Sequence, residues 1–180
     1  MATYVNSFFE TRVQQLFTLA EVVEHAFASA GLEYLVVGGL AAYLYVEERE
    51  PDAGRLTKDI DIAVRREDLA AIAKAVEPFG LQYRHVAGVD RLVQTGQPSA
   101  RRAVHMVSSG EPAAELGACR VMQGVRVAPA QDLIRMKLAA FRLEDEMQLK
   151  DLDEAGVVTA EIEAALSPLH RERLQQVRAR

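Results

Sequence analysis

The chain has a single cysteine, Cys119, in 180 residues. One thiol makes neither an internal disulfide nor a zinc cluster, which excludes disulfide-stapled secreted scaffolds and points to a reducing, cytoplasmic setting. No such staple is needed, because a chain of this length, 49% hydrophobic, buries roughly 70% of its unfolded surface. Positive charge is also in short supply. Lys and Arg number 21 against 26 Asp and Glu, a net charge of −5, so the molecule as a whole has no general affinity for polyanions. That disfavours a DNA-binding regulator built on Arg171, Arg173, Arg178 and Arg180; these arginines, like Arg101 and Arg102, read as solvated faces. Long apolar runs are missing too. The longest stretch free of charge, Tyr34 to Val46, is shorter than the roughly 18 apolar residues of a membrane span. Glu10, Arg12, Glu21 and Glu24 interrupt the N-terminal apolar residues, so no signal-peptide core and no membrane partner are expected. No internal repeat, low-complexity tract or clear linker is visible.

What is present is a regular succession of helix and strand signals. Ser7-Phe8-Phe9-Glu10 has the form of a capping box, and Phe9, Val13, Leu16, Ala20, Val23 and Phe27 recur at steps of three and four up to Gly31, which predicts one long amphipathic helix. Glu33 to Val37 reads as a strand that stops at Gly38-Gly39, followed by a helix over Leu40 to Tyr45. Residues 59–64 alternate as a strand; Leu69, Ile72, Ala73 and Val76 mark a helix stopped by Pro78 and Gly80. Further strands are expected at 81–86, 91–94, 103–107 and 125–127. Beyond Pro129, expected as the first helical residue, the pattern is helical to the end, with breaks near Gly156 and Ser167-Pro168. The fold class is therefore α+β: a core over residues 1–128 and a helical segment over 129–180 packed on it as a single unit.

The chemistry concentrates in Asp59-Ile60-Asp61-Ile62. A strand's period of two sends both carboxylates to one face and both isoleucines to the other. Two carboxylates one strand repeat apart repel unless a cation lies between them; the plainer account is a solvated edge strand. Upstream, Val36-Val37-Gly38-Gly39 ends a strand and opens a helix, where bare backbone N–H groups can approach phosphate. The P-loop's Gly and Lys spacing and the three glycines of a dinucleotide fingerprint are both absent. The distinctive feature is the combination of Gly38-Gly39 with Arg55-Leu56-Thr57-Lys58 leading into the aspartates.

In that combination the chain resembles the nucleotidyltransferase superfamily, in particular its small bacterial members found in toxin–antitoxin pairs, whose pattern is a Gly-Gly turn followed by Arg-x-Thr-x-Asp-hydrophobic-Asp. Tyr34 to Val64 carry the match; Asp132 to Lys137 and Arg142 to Asp145 extend it more weakly into the helical end. The resemblance implies a mixed β-sheet flanked by helices and a nucleoside triphosphate over Gly38 and Gly39. It also implies Mg²⁺ or Mn²⁺ bridging phosphate to Asp59 and Asp61. Arg55 and Lys58 would neutralise phosphate, and Thr57 would donate a hydroxyl hydrogen bond. The reaction implied is transfer of a nucleoside monophosphate to a hydroxyl of RNA, protein or a small molecule.

Active members place a third carboxylate on a later strand, and here His105 holds the matching position in Ala103-Val104-His105-Met106-Val107. An imidazole can serve as a general base near neutral pH, or it marks a catalytically reduced nucleotide-binding or protein-binding module. Asp90 and Glu111 are alternative third acids. Lys137 falls on or beside the apolar stripe of its helix, where a nucleotide phosphate or a snorkelling stem would account for it. Arg142 either reaches the same cleft or pairs with Asp145 and Glu146. His25, His85 and His170 read as structural.

Overall fold

Alternation of residue type along short strands sets the architecture. The computed structural model describes residues 2–96, 103–109 and 115–180, with side chains described from residue 13 on. In chain order the elements are α1 (Ala2–Ala30), β1 (Leu35–Val37), α2 (Gly38–Arg49), β2 (Ile60–Val64), α3 (Leu69–Val76), β3 (Leu81–Val86), β4 (Val89–Gln94), β5 (Val104–Ser108), β6 (Arg120–Met122), β7 (Val125–Val127), α4 (Ala130–Ala140), α5 (Leu143–Glu154), α6 (Ala160–Ala164) and α7 (Pro168–Arg178). The strands form one mixed sheet in the order β3-β4-β5-β2-β1-β7-β6. β2 runs parallel to β5 and β1 parallel to β7; the remaining pairs are antiparallel. This is the expected α+β class with a mixed sheet.

One face of the sheet is apolar and covered. Val36, Ile60, Ile62, Val64, Leu92, Val104 and Met106 join Leu16, Val23 and Phe27 of α1 and Leu40 and Leu44 of α2 in the main core. Each fully buried aliphatic side chain of this kind contributes about 1.5–3 kcal/mol. The alternate residues build the other face. There Leu35, Val37, Ala63 and Ala128 form a much smaller cluster with Leu116 and Met136, and Asp61 of β2, His105 of β5 and Arg91 of β4 share that face.

Several boundaries differ from the sequence expectation for identifiable reasons. The first helix begins at Ala2, so Ser7 lies inside it and does not cap it; the side chains of Ser7, Phe9 and Glu10 lie outside the described residues, as do Arg101, Arg102 and Glu111. Pro129 is the N-cap of α4, with an extended ψ of 143°, and not its first turn. The strand β6 was not expected. It pairs with β7 through Gln123 and Gly124, both at positive φ (48° and 79°), the two-residue turn that matches strand twist. The break between α4 and α5 at Phe141, φ 48°, carries neither glycine nor proline. Arg173 of α7 stabilises it from outside: its guanidinium donates to the Leu138 and Ala139 carbonyls and stacks 4.9 Å from the Phe141 ring, satisfying carbonyls the helix end leaves open.

Candidate active site

The site forms where β1 runs into α2 without a loop. Gly38 adopts φ +65°, a conformation glycine takes at little cost, and this turns the chain from strand to helix in one residue. Antiparallel pairing sets Asp61 opposite Val37, so the Asp61 carboxylate lies against the Gly38 backbone. A Cβ on Gly38 would sit 2.8 Å from the Asp61 Cγ and 2.9 Å from its Cβ. At Gly39 a Cβ would meet Thr57 Oγ1 at 2.6 Å and Gln148 Nε2 at 3.2 Å. Both glycines are therefore required by close approach, and the backbone at the start of α2 packs against Asp61 and Thr57, with no side chain capping the helix.

Asp59 precedes β2 and is not part of it; a bend there leaves it near Asp61 nonetheless. Its Oδ1 is buried and has no hydrogen-bond partner. Burial pushes its carboxyl above the usual range, Asp61 and Glu144 add to this, and His105 and Lys58 oppose it. An orphaned carboxylate oxygen costs free energy unless something cationic or a donor meets it.

His105 stands beside Asp61 because β2 and β5 pair in parallel with these two residues in register. Its Nδ1 is 3.5 Å from Asp61 Oδ1, with both side chains about 30% exposed (28% and 32%). The bond to Asp61 holds the imidazole pKa above its ordinary 6.5, against the opposing effect of burial. Asp90, an expected alternative acid, is on the wrong face. It lies opposite Met106 of the main core and accepts from the Tyr83 hydroxyl at 2.7 Å and contacts His85 Nδ1 at 2.6 Å. That pairing also accounts for His85, and holds the Asp90 carboxyl below the usual range.

The helical end of the chain supplies the back wall. Lys137 is 3% exposed; its ammonium donates to Gln148 Oε1 and lies 3.7 Å from Asp145 Oδ1. Burial lowers its pKa, while Asp145, Asp61 and Glu144 counter that effect. Arg142 pairs with Asp145 at 2.8 Å and keeps most of its own surface exposed, the pairing foreseen as its alternative. Arg55 forks onto Asp151 of α5 at 2.7 and 3.2 Å. Lys58 is exposed beside Asp59. The structure thus gathers Gly38, Gly39, Thr57, Asp59, Asp61, His105 and Lys137, and ties Arg55 and Arg142 to carboxylates of α5.

Sequence reasoning missed Gln148, Asp151 and Arg91, and took Asp145 as a partner of Arg142 but not of Lys137. A signal existed for Asp145 and Gln148: positions 145, 148, 149 and 152 form the buried stripe of α5, and polar residues at two of four stripe positions call for buried partners. Among the described residues no group of three or more His, Cys, Asp or Glu side chains is arranged to hold a metal ion. An open hollow of about 470 Å³ lined by Gly80, Gln94, Thr95 and Gly96 lies at the β3–β4 edge, away from all these groups.

No known family model and no curated protein matches the chain. Solved structures do. The crystal structure of ANT(2″)-Ia in complex with adenylyl-2″-tobramycin aligns with a TM-score of 0.55 at 17% identity, over 88% of this chain and 97% of that one. An antigenic nucleotidyltransferase-like protein from Paracoccidioides brasiliensis aligns with a TM-score of 0.55 at 14% identity, over 92% and 86%. The solution structure of ANT(2″)-Ia gives 0.51 at 17% identity, over 93% and 91%. At these identities the likeness establishes the fold, which is that of the nucleotidyltransferases.

Proposed function

We propose that this chain of nucleotidyltransferase fold transfers a nucleoside monophosphate from a nucleoside triphosphate to a hydroxyl group. The observation that carries the reading is the contact of the Gly38 backbone with the Asp61 carboxylate, next to the buried, unpartnered Asp59 Oδ1. A helix start with no side-chain cap favours phosphate, and two carboxylates beside it call for a cation. Mg²⁺ or Mn²⁺ suits that donor set. Such hard cations are held by one or two carboxylates, with substrate phosphates and water completing the shell, so two aspartates suffice without a third protein ligand. When bound, the cation supplies charge neutralisation on the phosphates and favours ionisation of the attacking hydroxyl.

The chain's own groups then divide the remaining work. The N-terminus of α2 and Thr57 orient the triphosphate, and Lys137, buried beneath Gln148, fixes the α5 wall and offsets negative charge. The acceptor hydroxyl oxygen bonds to the α-phosphorus, the bond from that phosphorus to the bridging oxygen breaks, and pyrophosphate leaves with the electron pair. Asp61 on Nδ1 orients the His105 imidazole, which leaves Nε2 to take the hydroxyl proton. The ANT(2″)-Ia complex, with an adenylyl group joined to tobramycin, supports this class of chemistry. A catalytically reduced binding module is the second reading, favoured by an imidazole standing where a third carboxylate was expected.

Incubation with each labelled nucleoside triphosphate, Mg²⁺ or Mn²⁺, and total cellular RNA or protein tests the proposal. Label should move to one pool and vanish with Asp61→Asn. Retained nucleotide binding without transfer to any pool selects the reduced module instead.

A further inference from the structure

On the open face of the sheet, the registers place Arg84, Arg91, His105 and Asp61 in one row across four strands. Directly opposed residues share a face, so the row runs from the carboxylates, through the imidazole, to two arginines side by side. Like charges opposite one another destabilise a sheet. Yet among the described residues neither arginine forms an ion pair, and Arg91 Nε is buried without any acceptor. The next row on the same face consists of Val86, Val89 and Val107, exposed at 48, 44 and 36%. Two unpaired guanidinium groups beside exposed valines are a poor solvated surface and a good anion seat, since a planar fork of donors matches phosphate oxygens.

The position along the row identifies what the anion belongs to. Neighbouring strands lie about 4.8 Å apart, so Arg91 is one step and Arg84 two steps beyond His105, on the side away from Gly38 and Gly39. The triphosphate occupies the glycine side in the reading above. We propose that Arg84 and Arg91 bind a phosphate of the acceptor, so that the transferred group goes to the hydroxyl of a phosphate-bearing compound and not to a cationic one. The proposal depends on the transferase reading only for calling the occupant an acceptor. A nucleic-acid strand end and a sugar phosphate share this chemistry, and the strand would use both arginines in succession.

Anisotropy of a short labelled single-stranded RNA with a free 3′ hydroxyl tests the seat without turnover, with ribose 5-phosphate as competitor. Arg84→Gln and Arg91→Gln should each weaken RNA binding roughly tenfold at low salt and lower the salt slope by about one. Affinity for nucleoside triphosphate with Mg²⁺ should stay at the parent value. Arg84 is exposed, so its variant keeps the fold whatever Arg91→Gln does. Arginine-dependent RNA binding supports the seat with a strand as its source; arginine-dependent binding of ribose 5-phosphate alone supports it with a small acceptor. Parent-like binding of both probes by both variants overturns it. Loss of triphosphate binding by the parent, with the arginine dependence intact, overturns the transferase reading and leaves the anion seat standing.

Discussion

On the helix-covered face of the sheet, Ile60, Ile62, Val104 and Leu92 are at most 1% exposed and belong to the main apolar core; polar groups on this side have partners, as Tyr34 has Glu24 and Tyr45 the Ala128 carbonyl. On the opposite face, the intervening residues of the same strands are Asp61, His105 and Arg91, and among the described residues the buried side-chain atoms without partners, Asp59 Oδ1 and Arg91 Nε, are found here. The contrast separates two kinds of demand. Apolar packing needs only volume and exclusion of water. A face with unmet donors and acceptors is stable in isolation only because neighbouring packing supports it, and it gains free energy when a ligand satisfies it.

The largest effect expected is at Asp61. Asp61→Asn should reduce transfer by at least three orders of magnitude, about 4 kcal/mol of transition-state stabilisation, while thermal stability holds or rises because a charge repelling Asp59 is gone. Parallel transfer assays and melting curves check this. A fall in melting temperature like that of a core mutant would erase the distinction between the faces.

On the other side, Ile62→Ala should cost about 3 kcal/mol of stability through lost burial and a residual cavity. Urea unfolding gives the value, and nucleotide affinity per folded molecule should stay unchanged. Gly38→Ala tests the junction of the two. A methyl group there meets Asp61, and the alanine would have to adopt the strained positive φ that Gly38 takes freely, at about 1–3 kcal/mol. Calorimetry should find triphosphate binding weakened more by this change than by Ile62→Ala; the reverse order would detach the glycine turn from the site.

The smallest effect lies in alkaline solution. Burial, and then the bond to Glu24, raises the Tyr34 pKa above 10, so the unfolded chain loses this proton before the folded one does. Stability contributed by Tyr34 is complete below pH 10 and declines as pH rises toward the folded value. Tyr34→Phe should flatten that decline in unfolding experiments between pH 9 and about 11, with no change in nucleotide binding.

Much of this was legible in residue order because it rests on local rules. The strands at 81–86 and 125–127 appear where alternation placed them, and Gly38-Gly39 with Asp59 and Asp61 marked a candidate site through residue types that strands otherwise avoid. Asp90 was expected in a loop just before the strand at 91–94; it lies inside β4, and how β4 pairs with β5 turns it to the face away from Asp61. The α4–α5 break at Phe141 was invisible because the group that stabilises it, Arg173, lies more than thirty residues away in sequence.

The sequence alone determined the class of fold, the paired aspartates and the glycine turn, since periodicity and backbone freedom are properties of neighbours along the chain. The tertiary structure alone decided that the Asp61 carboxylate presses on Gly38, that His105 rather than Asp90 stands beside it, that Arg55 is held by Asp151 of α5, and that Arg84 and Arg91 extend the same row. Those relations join residues through strand register and helix packing. Register is a choice of partner across space, and a shift of one residue would have sent the strand residues among them to the other face.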